Sequence, residues 1–203
     1  MYAGKITLVS NDKGVGVNNA GQIFAGAGGI VISADGQLSN SGTIVAADKT
    51  QSGASVATAT LQANHIDNSG TISSQGKMQT HSQQLENSGL LASADELNIR
   101  NQHTLSNQGQ INAGRLDIDS NRLENRKGKI IQTGLQGLAM NAGHVQNINN
   151  SIIGYPPVVS DPTNPPDLTT PIQPSEPDTP PTTATGAGKT DNTPNTTAPR
   201  TFA

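Results

Sequence analysis

Aliphatic residues alternate with polar ones in short runs through the first three quarters of the chain, and most runs end in a glycine or asparagine turn. Alternation at period two places every second side chain on one face of a strand; no segment holds the spacing of an amphipathic helix. A longer period is laid over the short one. Val17, Leu38, Ile66, Leu85, Leu105, Leu123 and Val145 each precede an asparagine by two positions, and the asparagines are Asn19, Asn40, Asn68, Asn87, Asn107, Asn125 and Asn147. They are spaced 21, 28, 19, 20, 18 and 22 residues apart. Gly21, Gly42, Gly70, Gly89 and Gly109 follow two residues after their asparagines. Gly128 comes after one extra residue, and Asn150 takes that place in the last copy. Next in each repeat is an inward position, at Ile23, Ile44, Ile72, Leu91, Ile111 and Ile130. A second alternating pair follows: Ile30 and Ile32, Leu61 and Ala63, Leu97 and Ile99, Leu116 and Ile118, Leu138 and Met140.

Three short strands per repeat, joined by turns, make a triangular coil. The pattern predicts an all-β fold: a right-handed parallel β-helix, a solenoid of about seven coils of roughly twenty residues each. The asparagines are expected to turn inward and form a ladder along the axis, as stacked amides do in cross-β assemblies. The glycines are expected to supply a positive φ. A leucine-rich horseshoe has a similar period but needs Leu-x-Leu-x-x-Asn, and the aliphatic here stands two before the asparagine. One coil buries too few aliphatic side chains to offset the entropy of ordering it, so stability requires neighbours.

The composition changes after Gly154. All 12 prolines lie between Pro156 and Pro199, among threonine, serine, asparagine and aspartate. Proline cannot donate to a sheet ladder. Residues 1–154 therefore read as the β-helical segment and residues 155–203 as a disordered Pro/Thr-rich spacer. Residues 47–58 read as a polar loop that accounts for the one long repeat.

The 203 residues carry a net charge of -3, no cysteine, no tryptophan, two tyrosines and two phenylalanines. So few aromatics argue against a large shaped pocket, and the mild acidity gives no electrostatic reason to bind nucleic acid. No apolar run reaches membrane-spanning length. Met1–Val9 reads as a strand with no export signal, and its coil as one with no coil or cap above it; the chain is expected to be a piece of something longer.

Candidate chemistry is sparse. Gly188-Lys189-Thr190 is similar to the end of a phosphate-binding loop, but Thr183 stands where that loop needs glycine. Gly26-Ala27-Gly28-Gly29 lacks the third glycine of a dinucleotide fingerprint, since Val31 is there. His65 and His144 share a repeat position four coils apart, about 19 Å at the strand spacing, and His81 and His103 are offset, so no metal site is expected. Asp117 and Asp119 alternate with inward Leu116 and Ile118 and face solvent, with only Arg115 as a basic neighbour. No cofactor, small-molecule substrate or catalytic residue is predicted.

The Asn-Ser-Gly-Thr-Ile-x-Ala copies, the Leu-x-Ile strand and the closing Leu-x-Asn resemble the hemagglutinin repeats of filamentous hemagglutinin and of contact-dependent growth inhibition exoproteins. The resemblance runs from residue 1 to about residue 154. Tyr2-Ala3-Gly4-Lys5-Ile6-Thr7-Leu8, with Gly14 to Gly21 after it, resembles the junction that follows the secretion domain of those proteins. The resemblance implies two-partner secretion through an outer-membrane transporter, a secreted or cell-surface location, and adhesion to host or neighbouring bacterial cells. It also implies a toxin at the far carboxyl end of growth-inhibition members; none is recognisable in this sequence, and toxin activity is not expected of it. The expected function is a non-catalytic shaft segment. The alternatives are a β-helical polysaccharide lyase or hydrolase fragment, whose mark would be a cross-coil cluster of carboxylates with arginine or lysine, and a non-functional remnant of a truncated exoprotein gene.

Overall fold

A computed structural model describes residues 1–48 and 56–156. Residues 157–203 of the expected spacer and 49–55 of the expected loop lie outside the described residues. Fourteen strands form one continuous parallel sheet wound into seven stacked coils, with no helix among the described residues. The first coil holds β1 (Tyr2–Ser10), β2 (Val17–Asn19) and the start of β3 (Gln22–Ala34); the second holds the rest of β3, β4 (Gln37–Asn40) and β5 (Thr43–Ala46). The third holds β6 (Ala59–Gln62), β7 (His65–Asn68) and β8 (Thr71–Ser74). Strands then run on around the corners. β9 (Met78–Asn87) and the start of β10 (Leu90–Asn107) make the fourth coil, and the rest of β10 with the start of β11 (Gln110–Arg126) makes the fifth. The rest of β11 and β12 (Lys129–Gln132) make the sixth, and β13 (Ala139–Ile148) with β14 (Ile152–Gly154) the seventh.

Each coil has three sides, and each side is a parallel ladder in which like positions stack. On the third side Ile23, Ile44, Ile72, Leu91, Ile111 and Ile130 pair in register and continue to Ile153. On the second side Val17, Leu38, Ile66, Leu85, Leu105, Leu123 and Val145 do the same. The core is thin, built of stacked Ile, Leu and Ala with Met78, and no ring is among its described residues.

The first side departs from expectation in register. Leu61 pairs with Ile32 and Ala59 with Ile30, so the third coil's inward pair is Ala59 and Leu61, and Ala63 falls past the end of β6. The long insertion before this strand hides the offset from any count along the chain. In the fourth coil Thr80 occupies the isoleucine column, between Leu61 and Ile99, where its hydroxyl is buried without a hydrogen-bond partner among the described residues. The opening strand turns a corner of its own. Tyr2 and Ala3 lie beside Phe24 and Ala25 on the third side, then the register slips and Lys5 to Ser10 run along the first. The Tyr2 ring stacks on Phe24 at 5.9 Å between centroids, and Ile6 is buried in the core.

Candidate functional site

The asparagines lie in one column at the corner between the second and third sides. From Asn19 to Asn125, each side-chain Nδ2 donates to Oδ1 of the asparagine one coil on, at 2.8 Å in all six steps ending at Asn147. The same amides donate to turn carbonyls, as Asn87 does to Gly89 at 3.2 Å and to Gln110 of the next coil at 3.2 Å. Asn40, Asn68, Asn87, Asn107 and Asn125 are buried, and Asn147 at the far end is exposed. An amide suits this place because it carries its acceptor and its two donors on separate atoms, so one group can bond the coil before and the coil after at once. Every dipole in the column points the same way, which favours mutual polarisation.

The glycines have a different reason for being where they are than a left-handed backbone. Positive φ occurs at Gly14, Gly29 and Gly154, and none of Gly21, Gly42, Gly70, Gly89, Gly109 and Gly128 has it. The requirement is space. A Cβ at Gly42, Gly70, Gly89 or Gly109 would lie under 3.0 Å from the backbone carbonyl oxygen of the corresponding glycine one coil earlier. At Gly128 it would strike the side-chain amides of Asn107 and Asn125, while Gly21, with no coil before it at this corner, has open space. Positive φ appears instead where the turn is one residue longer, at Lys127 (61°), Asn149 (62°) and Asn150 (60°).

Asn87→Leu should expose what the ladder contributes. It takes a buried amide out of the middle of the column, leaving Asn68 with only its bond to the Leu90 carbonyl and the Asn107 acceptor unpaired, and should cost on the order of 3 kcal/mol. Asn147→Leu, at the wet end, should cost under about 1 kcal/mol. Chemical denaturation of the two variants checks this; equal costs would mean that the column does not hold the coils together.

The outer surface carries ion pairs that sequence reasoning missed, between coils on the first side and within one strand on the second. On the first side Glu96 stands between Lys77 at 3.0 Å and Arg115 at 3.8 Å. Arg100 grips Asp117 with two parallel bonds of 3.1 and 2.7 Å, reaching diagonally past its in-register neighbour Asp119. On the second side Glu124 pairs with Arg122 and with Arg126, the latter at 3.1 Å. The bond from Arg100 holds the Asp117 carboxyl below the usual carboxylate range, against a smaller opposing push from burial. Arg122 and Arg126 do the same for Glu124. Their own pairing raises Lys77 and Arg100 above the ordinary values. Sequence spacing could not reveal the Arg100 contact, because it depends on how far one coil is rotated against the next. The histidines are dispersed: His65 and His144 share an outer column of the second side four rungs apart, and His81 stands on the first side.

Fold and site define a repeat protein of the parallel β-solenoid class with an amide column running through its seven coils. No family model matches the chain, and no solved structure matches it. The protein called Toxin CdiA of Yersinia pestis is 59% identical to it over 49 residues, which is 24% of this chain and 2% of that protein. The matched segment is therefore a small part of that relative's length. Both the identity and the solenoid fit the CdiA and filamentous hemagglutinin family.

Proposed function

We propose that this chain is a non-catalytic shaft segment of a secreted filamentous adhesin or growth-inhibition exoprotein, and that it spaces a distal effector from the cell that makes it. The observation that carries the reading is 59% identity over 49 residues to Toxin CdiA, a length of more than two coils at about twenty residues each. The architecture suits the task. A solenoid gains stability from nearest-neighbour contacts, so a chain emerging from a pore can add one coil at a time to those already stacked. The sequence has no cysteine to cross-link before passage. On this reading the parent protein leaves by two-partner secretion through an outer-membrane transporter and meets a host or neighbouring bacterial cell.

The first-side ion pairs are a cross-coil cluster of carboxylates with arginine and lysine, the feature named above as the mark of a polysaccharide lyase or hydrolase. Each cation in it is already paired, Lys77 and Arg115 with Glu96 and Arg100 with Asp117, which argues for a structural role. The bonds from Arg100 hold Asp117 below the usual carboxylate range, away from the working pKa that a proton-abstracting base needs.

Residues 1–156, placed behind the secretion domain of such an exoprotein and expressed with its transporter, should reach the cell surface as a protease-resistant β-rich body. Retention inside the cell, or arrival as a protease-sensitive chain, would sink the proposal.

A further inference from the structure

A groove of about 820 Å³ runs along the corner between the first and second sides, from Ser10 and Asn11 in the first coil to Asn141 and Gly143 in the seventh. Its two walls are rows of side chains repeated once per coil. One wall is the outermost column of the first side, in which Gln62, His81, Arg100 and Asp119 stack in register. The other is the corner position two residues on, with Gln83, Gln102 and Asn121 in successive coils. Gln62, Gln83, Gln102 and Asn121 are exposed, and their side-chain amides have no hydrogen-bond partner among the described residues. Each offers a carbonyl acceptor and two N–H donors. Gln83, Gln102 and Asn121 thus form a track of unused amides at the strand spacing of about 4.8 Å, while Asn64, at the same corner in the third coil, donates to the Asp35 carbonyl.

The geometry points to a linear, uncharged, hydroxyl-bearing glycan as the occupant of this groove. Length comes first: unused amides in three successive coils, along a groove that runs from the first coil to the seventh, suit a polymer better than a compact ligand. Charge comes second. The groove's arginine, Arg100, is committed to Asp117 at 2.7 Å, while Asp35 and Asp119 also line the groove, so a polyanion would be repelled. Backbone comes third. An extended peptide binds chiefly by adding a strand to a free sheet edge, but along the first-side wall the backbone is spent in the coil-to-coil ladders. What remains is hydrogen bonding from side chains alone, which hydroxyls on both edges of a glycan can answer. Among the described residues no Phe, Tyr or Trp lines the groove and His81 is its one ring, so affinity must come from several weak contacts in line. The inference does not depend on the chain being part of an exoprotein.

The test is titration of the full 203-residue chain, followed by NMR of side-chain amides, with neutral hexasaccharides of β-1,4-glucose, α-1,4-glucose and β-1,4-N-acetylglucosamine. A polyuronate hexamer and an extended neutral peptide serve as rivals. At least one neutral hexasaccharide should bind with a Kd between about 100 µM and 10 mM. Gln83→Ala combined with Gln102→Ala should weaken it about tenfold with unchanged circular dichroism, both positions being exposed. No binding of any neutral hexasaccharide at about 10 mM, tighter binding of the polyuronate or the peptide, or unaltered binding by the double variant would each overturn the inference.

Discussion

Ile111→Asp should unfold the solenoid. Ile111 is fully buried and sits in the third-side column between Leu91 and Ile130. Its removal forfeits about 1.5–3 kcal/mol of apolar burial. The aspartate adds the cost of a carboxylate with no cation within reach, because the column above and below it is aliphatic. The sum, about 5 kcal/mol or more, belongs to the small class of very damaging substitutions. Position makes it worse. The fifth coil joins four coils on one side to two on the other, and a solenoid that loses one interface loses the coupling between its halves. Gln110→Asp, one residue earlier on the outward face, should leave the thermal midpoint nearly unchanged. Thermal unfolding by circular dichroism separates the two; an unaltered midpoint for Ile111→Asp would show that the assigned register is wrong.

Gly109→Val should destabilise nearly as much, about 3 kcal/mol or more, because its Cβ would be driven against the backbone oxygen of Gly89, an atom that the ladder holds in place. Val at the exposed neighbour Gln108 should cost far less. The informative third variant is Gly21→Val. Gly21 occupies the same repeat position but has no atom within 4 Å of an added Cβ, and it has no positive φ. If close approach between coils is what demands glycine, Gly21→Val should be tolerated where Gly109→Val is not. Equal damage at both sites would restore backbone conformation as the cause and refute the steric explanation.

These two variants also mark how far the chain could be read before its structure was known. The isoleucine column was legible because a parallel solenoid repeats one short code, and period-two alternation then assigns each aliphatic to the inside. The placing of an asparagine two positions after the closing aliphatic of every repeat was legible for the same reason. That glycine belongs at the turn was also plain, but the reason for it was not. A glycine before a strand has two physical explanations, a left-handed φ or a close neighbour, and nothing local distinguishes them. The neighbour is about one repeat away in the chain and becomes adjacent only when coils stack.

The same division runs through the rest of the molecule. Alternation and spacing by themselves determined an all-β stack of about seven coils, its three-sided repeat and the residues that face inward. Stacking decided that Thr80 would fall in an isoleucine column, that Leu61 would pair with Ile32, and that Arg100 would reach Asp117. It also turned ordinary polar residues such as Gln83, Gln102 and Asn121 into one wall of a groove. Side-chain period is a property of the strand and survives insertions, so a sequence carries it openly. Register and rotation between coils are set by the fit of one whole coil on the next, with loop lengths free to vary, so they come into being only with the tertiary structure.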